Sequence, residues 1–83
     1  MTQDAPLIVD TRGFFCPVPI IMASEAIRRI DAGRLVEIIS DDPAIEYDLP
    51  AWCKSHRHTI RRSERMGDVF RYIVEKGIGK SAG

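Results

Sequence analysis

Leu35 to Ser40 reads LVEIIS, a β-branched, mostly apolar run that fits the interior of a sheet. It lies between two segments that open with helix-start signals. Before it, Pro17 suits a first helical position, where a missing N–H costs nothing. Ile20, Ala23, Ile27 and Ile30 then repeat at helical spacing and are expected to face the core, with Glu25, Arg28 and Arg29 mostly outward. This helix should start near Cys16 and stop at Asp31-Ala32-Gly33, with Gly33 as the left-handed C-cap. After the strand, Asp42 is the expected N-cap and Pro43 the first residue of a second helix over 43–57. Pro50 removes a donor there and predicts a break or kink near Leu49, with Ile45, Leu49, Trp52 and Cys53 as the apolar positions.

Leu7 to Val9 is a short strand ended by the loop chemistry of Asp10-Thr11-Arg12-Gly13. Thr59 to Ser63 is a weak third strand and Met66-Gly67-Asp68 a turn. Val69 to Glu75 is a stronger strand, in which Phe70, Tyr72 and Val74 alternate with Arg71, Ile73 and Glu75. The first β-α-β predicts a right-handed crossover between parallel strands, and the last two strands an antiparallel pair. The expected architecture is an α/β two-layer sandwich, β-α-β-α-β-β, with a mixed four-stranded sheet and two helices on one face.

All 83 residues form one expected domain, with an ordered core at about 7–76 and a frayed tail from Gly77. Surface scaling gives roughly 5,000 Å² folded against roughly 13,600 Å² unfolded. A chain this small has no spare mass for an enclosed pocket, so a surface site used with partners is the better expectation. The longest apolar run, Pro17 to Ala23, is far too short to span a bilayer, and Met1 to Pro6 shows no secretory signal. A cytoplasmic address and free thiols at Cys16 and Cys53 follow.

The zero net charge is unevenly spread: residues 1–49 carry net −5 and residues 50–83 net +5. Lys54, His56, Arg57, His58, Arg61, Arg62 and Arg65 form a basic face that suits an acidic partner or RNA. Balanced charge and the lack of an aromatic between Cys53 and Met66 favour a plain solvated face.

Cys16-Pro17-Val18-Pro19 is the feature that carries chemistry. A helix N-terminus favours a thiolate, here raising its fraction at pH 7 from about 3% to about 14%. With Cys16 as N-cap, Pro17 and Pro19 leave only Val18 and Ile20 as nearby donors. A mildly activated thiol is therefore expected, as suits a group that attacks and later yields what it took. Gly13, Pro17 and Pro19 shape the site, the prolines by stiffening the backbone under the sulfur.

At this point the chain resembles the TusA/SirA-like family of small sulfur-carrier proteins, from about Val9 to Lys76. The residues that carry the resemblance are Asp10 to Pro19 (DTRGFFCPVP), Ile39 to Ala44, Asp48-Leu49-Pro50-Ala51-Trp52-Cys53 and Tyr72 to Lys76. The resemblance implies the same two-layer fold. It implies that Cys16 accepts sulfane sulfur as a persulfide from a cysteine desulfurase or rhodanese and relays it to an acceptor protein, in tRNA thiolation or another sulfur pathway. No cofactor, metal, membrane or direct nucleic-acid partner is expected, and the expected state is a monomer. Phe15 and Val18 stand where the tRNA-thiolation branch often has a basic or polar residue and a glutamate. With Arg12 they are the expected partner-binding residues, Phe15 and Val18 forming an apolar rim.

Other residues have plainer readings. Cys53 is a core neighbour of Trp52 before it is a resolving thiol. Cys16, Cys53, His56 and His58 include zinc-ligand types, but at a spacing that matches no common site. Asp41 and Asp42 offer a carboxylate pair, but capping accounts for at least one. Trp52 and Tyr72 read as core, and Gly79-Lys80-Ser81 lacks the glycine spacing of a phosphate loop. The competing functions are a regulatory or binding module using the basic face 54–65, and a redox switch between Cys16 and Cys53, which needs Cα atoms within about 7 Å.

Overall fold

A computed structural model describes residues 5–77; residues 1–4 and 78–83 lie outside the described residues, and with them Gly79-Lys80-Ser81 and all of the tail expected to fray but Gly77. The order is β1 (Leu7–Asp10), α1 (Val18–Ile27), β2 (Leu35–Ser40), α2 (Ile45–His56), β3 (Thr59–Met66) and β4 (Val69–Glu75). The apolar run LVEIIS is an interior strand, in a sheet of order β1-β2-β4-β3. β2 pairs parallel with β1, from Leu7↔Val36 to Asp10↔Ile39, and antiparallel with β4, from Leu35↔Glu75 to Ser40↔Phe70. Parallel neighbours need a crossover, and α1 supplies it. β3 and β4 pair antiparallel around a two-residue turn, with Gly67 at φ +63 in the first turn position, where tight hairpins want glycine.

Alternation in the strands decides which face is covered. Val9, Val36, Ile38, Phe70, Tyr72 and Val74 meet Ala23, Ala26 and Ile27 of α1 and Ile45, Leu49, Trp52 and Cys53 of α2 in one core. The opposite face carries charge, with Arg71 paired to Glu37 at 3.0 Å and Arg62 to Glu64 at 2.9 Å. The fold is thus the expected two-layer α/β sandwich, and its surface of 5324 Å² matches the size argument. Among the described residues no helix is long and apolar enough to cross a membrane.

Several local expectations change. α1 starts at Val18 with Pro17 as its cap and ends at Ile27, so Ile30 packs on the core from the following loop. Gly33 has φ +88 but turns the chain into β2, its N–H reaching the Lys76 carbonyl at 2.9 Å, rather than capping α1. α2 runs unbroken through Pro50. The lost bond lies on an exposed face, near Glu46, while buried Leu49, Trp52 and Cys53 hold both flanks of the helix on the sheet. Ala44 takes the N-cap position, and Asp42 instead accepts the Ala44 N–H at 3.1 Å. β3 is eight residues long; most are exposed, so hydrophobic alternation could not reveal a strand set by backbone pairing to β4.

Candidate functional site

β1 and β2 run parallel and end at the same rim, and the loop from Thr11 to Pro17 crosses it. Thr11 is fully buried; its N–H and Oγ1 both donate to the Ile39 carbonyl at 2.7 Å, anchoring the loop to β2. Gly13, at φ +90, bends the chain in a conformation that side chains resist, and its N–H donates to Asp41 at 3.1 Å. The Cys16 N–H donates to Asp42 at 2.8 Å. Two carboxylates just after β2 thus clamp the loop at both ends of Gly13–Cys16. Cys16–Pro17 is a cis peptide bond, and Pro19 is fully buried in α1.

The Cys16 side chain is exposed, and its thiol donates a hydrogen bond to Asp48 in the first turns of α2. That bond raises the thiol pKa above its ordinary value, helped by lost solvation and by the charges of Asp48 and Asp42. The expectation of a mildly activated thiol is corrected accordingly. The donors counted from the sequence are spent inside the loop: Val18 N–H goes to the Phe15 carbonyl at 2.9 Å and Ile20 N–H to Pro17 at 3.1 Å. The helix offers the sulfur only a partial charge, while Asp48 offers a full one in contact.

Phe15 is 72% exposed beside the cysteine, and Phe14 is also exposed. Val18 is only half-buried, as the first residue of α1. Tyr47 lies exposed next to Asp48, and Met66 is exposed on the same rim, because β4 starts there with Phe70 opposite Ser40. Arg12 is not a bare cation: it makes two side-chain bonds to Asp10, at 2.9 and 2.7 Å, and holds that carboxyl down at about 2.

Cys53 is 3% exposed in the core, where burial pushes its thiol up to about 11. That placement removes it as a resolving thiol. Trp52 and Tyr72 are core residues as read. The basic face is largely engaged: Arg61 pairs with Glu75, Arg62 with Glu64, and Arg65 bonds the Gly67 carbonyl while lying over Phe70. Among the described residues no group of three or more His, Cys, Asp or Glu is arranged to hold a metal. The residue the sequence reading missed is Asp48. In the sequence it stands out only as the first residue of the matching stretch Asp48-Leu49-Pro50-Ala51-Trp52-Cys53; no local pattern places it on a sulfur 32 residues away.

A family model described as Sulfurtransferase TusA matches residues 7–76. The chain belongs to the TusA family. A crystal structure of the SirA-like protein from Desulfitobacterium hafniense is similar in fold, with TM-score 0.75 at 22% identity, covering 86% of this chain and 97% of that one. Membership makes the chain sulfurtransferase-related, and it puts Cys16-Pro17-Val18-Pro19 inside the matched span.

Proposed function

We propose that this protein carries sulfane sulfur as a persulfide on Cys16, taking it from a donor protein and passing it to an acceptor protein. The observation that carries the reading is an exposed cysteine on a loop pinned by Thr11, Asp41 and Asp42, in a chain of the TusA family. A carrier needs its thiol reachable from two partners in turn, on a backbone that does not wander. It needs no cofactor, since the sulfur moves by exchange between cysteines.

Phe14 and Phe15 expose apolar surface on the loop just before the thiol, and Tyr47 is exposed next in sequence to Asp48. Such a patch supports docking of protein partners. The donor is a cysteine desulfurase or rhodanese, and the acceptor serves tRNA thiolation or another sulfur pathway in the cytoplasm. Gly13, Pro17 and Pro19 hold the site's shape, and Arg12, Phe15 and Val18 set partner choice. The protein works as a monomer. The competing reading, a binding module using the basic face, is weakened by the ion pairs that occupy Arg61 and Arg62.

The test is mass spectrometry after incubation with a cysteine desulfurase and cysteine. A one-sulfur mass gain on Cys16, lost in Cys16→Ser, is the expected result. No gain with any desulfurase or rhodanese overturns the reading. For the rim, Phe15→Arg should slow transfer from the true donor; unchanged rates with every candidate partner would remove Phe15 from the docking surface.

A further inference from the structure

We propose that Asp48 is the proton acceptor for Cys16, taking the thiol proton as sulfur arrives and returning it to the departing donor cysteine. The proposal rests on the carrier reading above and names the group that makes the chemistry work. Three carboxylates hydrogen-bond the stretch from Gly13 to Cys16, and those bonds separate their roles. Asp41 holds the Gly13 N–H. Asp42 holds the Cys16 N–H with one oxygen and the Ala44 N–H with the other. Both serve the backbone. Asp48 bonds the sulfur itself.

The plain explanation of Asp48 is an acid in the first turn of α2, complementing the helix dipole. Glu46 shares that turn. A dipole role does not require contact with a thiol on a separate loop. Asp48 is also held in place: it follows Ile45 by three residues and precedes Leu49, and these neighbours are 2% and 0% exposed in the core. A carboxylate on a helix packed this way is preorganised toward the sulfur.

The chemistry needs such a group. The acids around Cys16 keep its thiol protonated, so little free thiolate is present at neutral pH. The nucleophile is then activated by an adjacent base rather than by a lowered pKa. In loading, the Cys16 Sγ–H proton passes to Asp48 and Sγ attacks the outer sulfur of a donor persulfide, R–S–SH. The new Sγ–S bond forms as the donor S–S bond breaks. The leaving sulfur departs with the electron pair and takes the proton from Asp48. Cys16–S–SH and R–SH result, with one sulfane sulfur moved and no external oxidant or reductant.

The experiment sets two reactions of the same sulfur against each other. Wild type, Asp48→Asn and Asp48→Glu are loaded with glutathione persulfide and, separately, alkylated with iodoacetamide, with thermal melting as the check of folding. Asp48→Asn removes the charge that holds the thiol proton, so alkylation near neutral pH should quicken several-fold. Loading should instead slow by about tenfold or more, since a proton acceptor in contact is lost. Loading of Asp48→Asn should also climb about tenfold per pH unit below the thiol pKa, where wild type is flatter. Asp48→Glu should recover part of the loading rate. A merely structural role would not drive the two reactions in opposite directions. Loading of Asp48→Asn at the wild-type rate, or loading and alkylation changing together, overturns the proposal while the carrier reading stands. A wild type that takes no sulfur from glutathione persulfide or from any desulfurase or rhodanese overturns both.

Discussion

Cys16 and Cys53 are the same side chain in opposite settings, and both thiols are harder to ionise than a free cysteine. The causes differ. Cys16 sits at the surface and is held protonated by a hydrogen bond to a carboxylate. Cys53 is held protonated by the apolar core around it. A pKa alone therefore does not rank their usefulness. Access and a proton acceptor in contact do, and only Cys16 has both. One helix serves both settings: the first turns of α2 present Asp48 to the loop, and its later turns bury Trp52 and Cys53.

Four measurements would sharpen or break this contrast. The largest effect is expected in alkylation of the native protein. Cys53 should react slower than Cys16 by orders of magnitude, because it must wait for an opening of the fold. Comparable rates would show that the core around Cys53 is not closed. Next, Cys53→Ser should lower the unfolding free energy by about 1–3 kcal/mol, since a hydroxyl enters a site without an assured partner. Chemical denaturation reads that loss, and loading of Cys16 should persist.

The third concerns pH. His58 lies beside Trp52, with ring centroids 5.0 Å apart, and its Nδ1 accepts the Gly77 N–H at 3.0 Å. Burial first, then the charges of His56 and Lys76, hold its pKa below 6.5. The unfolded chain therefore binds the proton first, so the stability carried by neutral His58 is present above about pH 6.5 and lost below it. The Tm should fall between about pH 7 and 5, and fall less in His58→Gln. An equal fall in both proteins would place the titration elsewhere. The smallest effect is at Asp10. Its carboxyl titrates near about 2 because Arg12 bonds it, so Arg12→Gln should return the midpoint toward 3.8, as read by NMR, with little change in Tm. An unmoved midpoint would dissolve the pair.

Most of the architecture was legible along the chain because its signals are local. β-branched runs, proline starts and a turn glycine act within a few residues, and β2 and β4 emerged with the expected bounds. β3 was read short because its exposed polar residues carry no alternation, and its length comes from β4 alongside it. Pro50 predicted a break that the buried neighbours of α2 override. At the site, the cysteine, its glycine loop and its prolines stood out locally. The direction of the thiol's pKa did not, because its largest cause, the hydrogen bond to Asp48, comes from 32 residues away, while the donors at the helix start go to the Phe15 and Pro17 carbonyls.

The sequence alone determined the order of six elements, the covered face of the sheet and the one cysteine placed at a loop rim, because each depends on spacing between near neighbours. Only the tertiary structure decided what that cysteine touches. Asp42 and Asp48 are 26 and 32 residues from it in the chain, and both reach it because β2 ends beside the loop and α2 starts there. A carboxylate's effect on a thiol falls off with distance in space, and the packing of α2 on the sheet sets that distance.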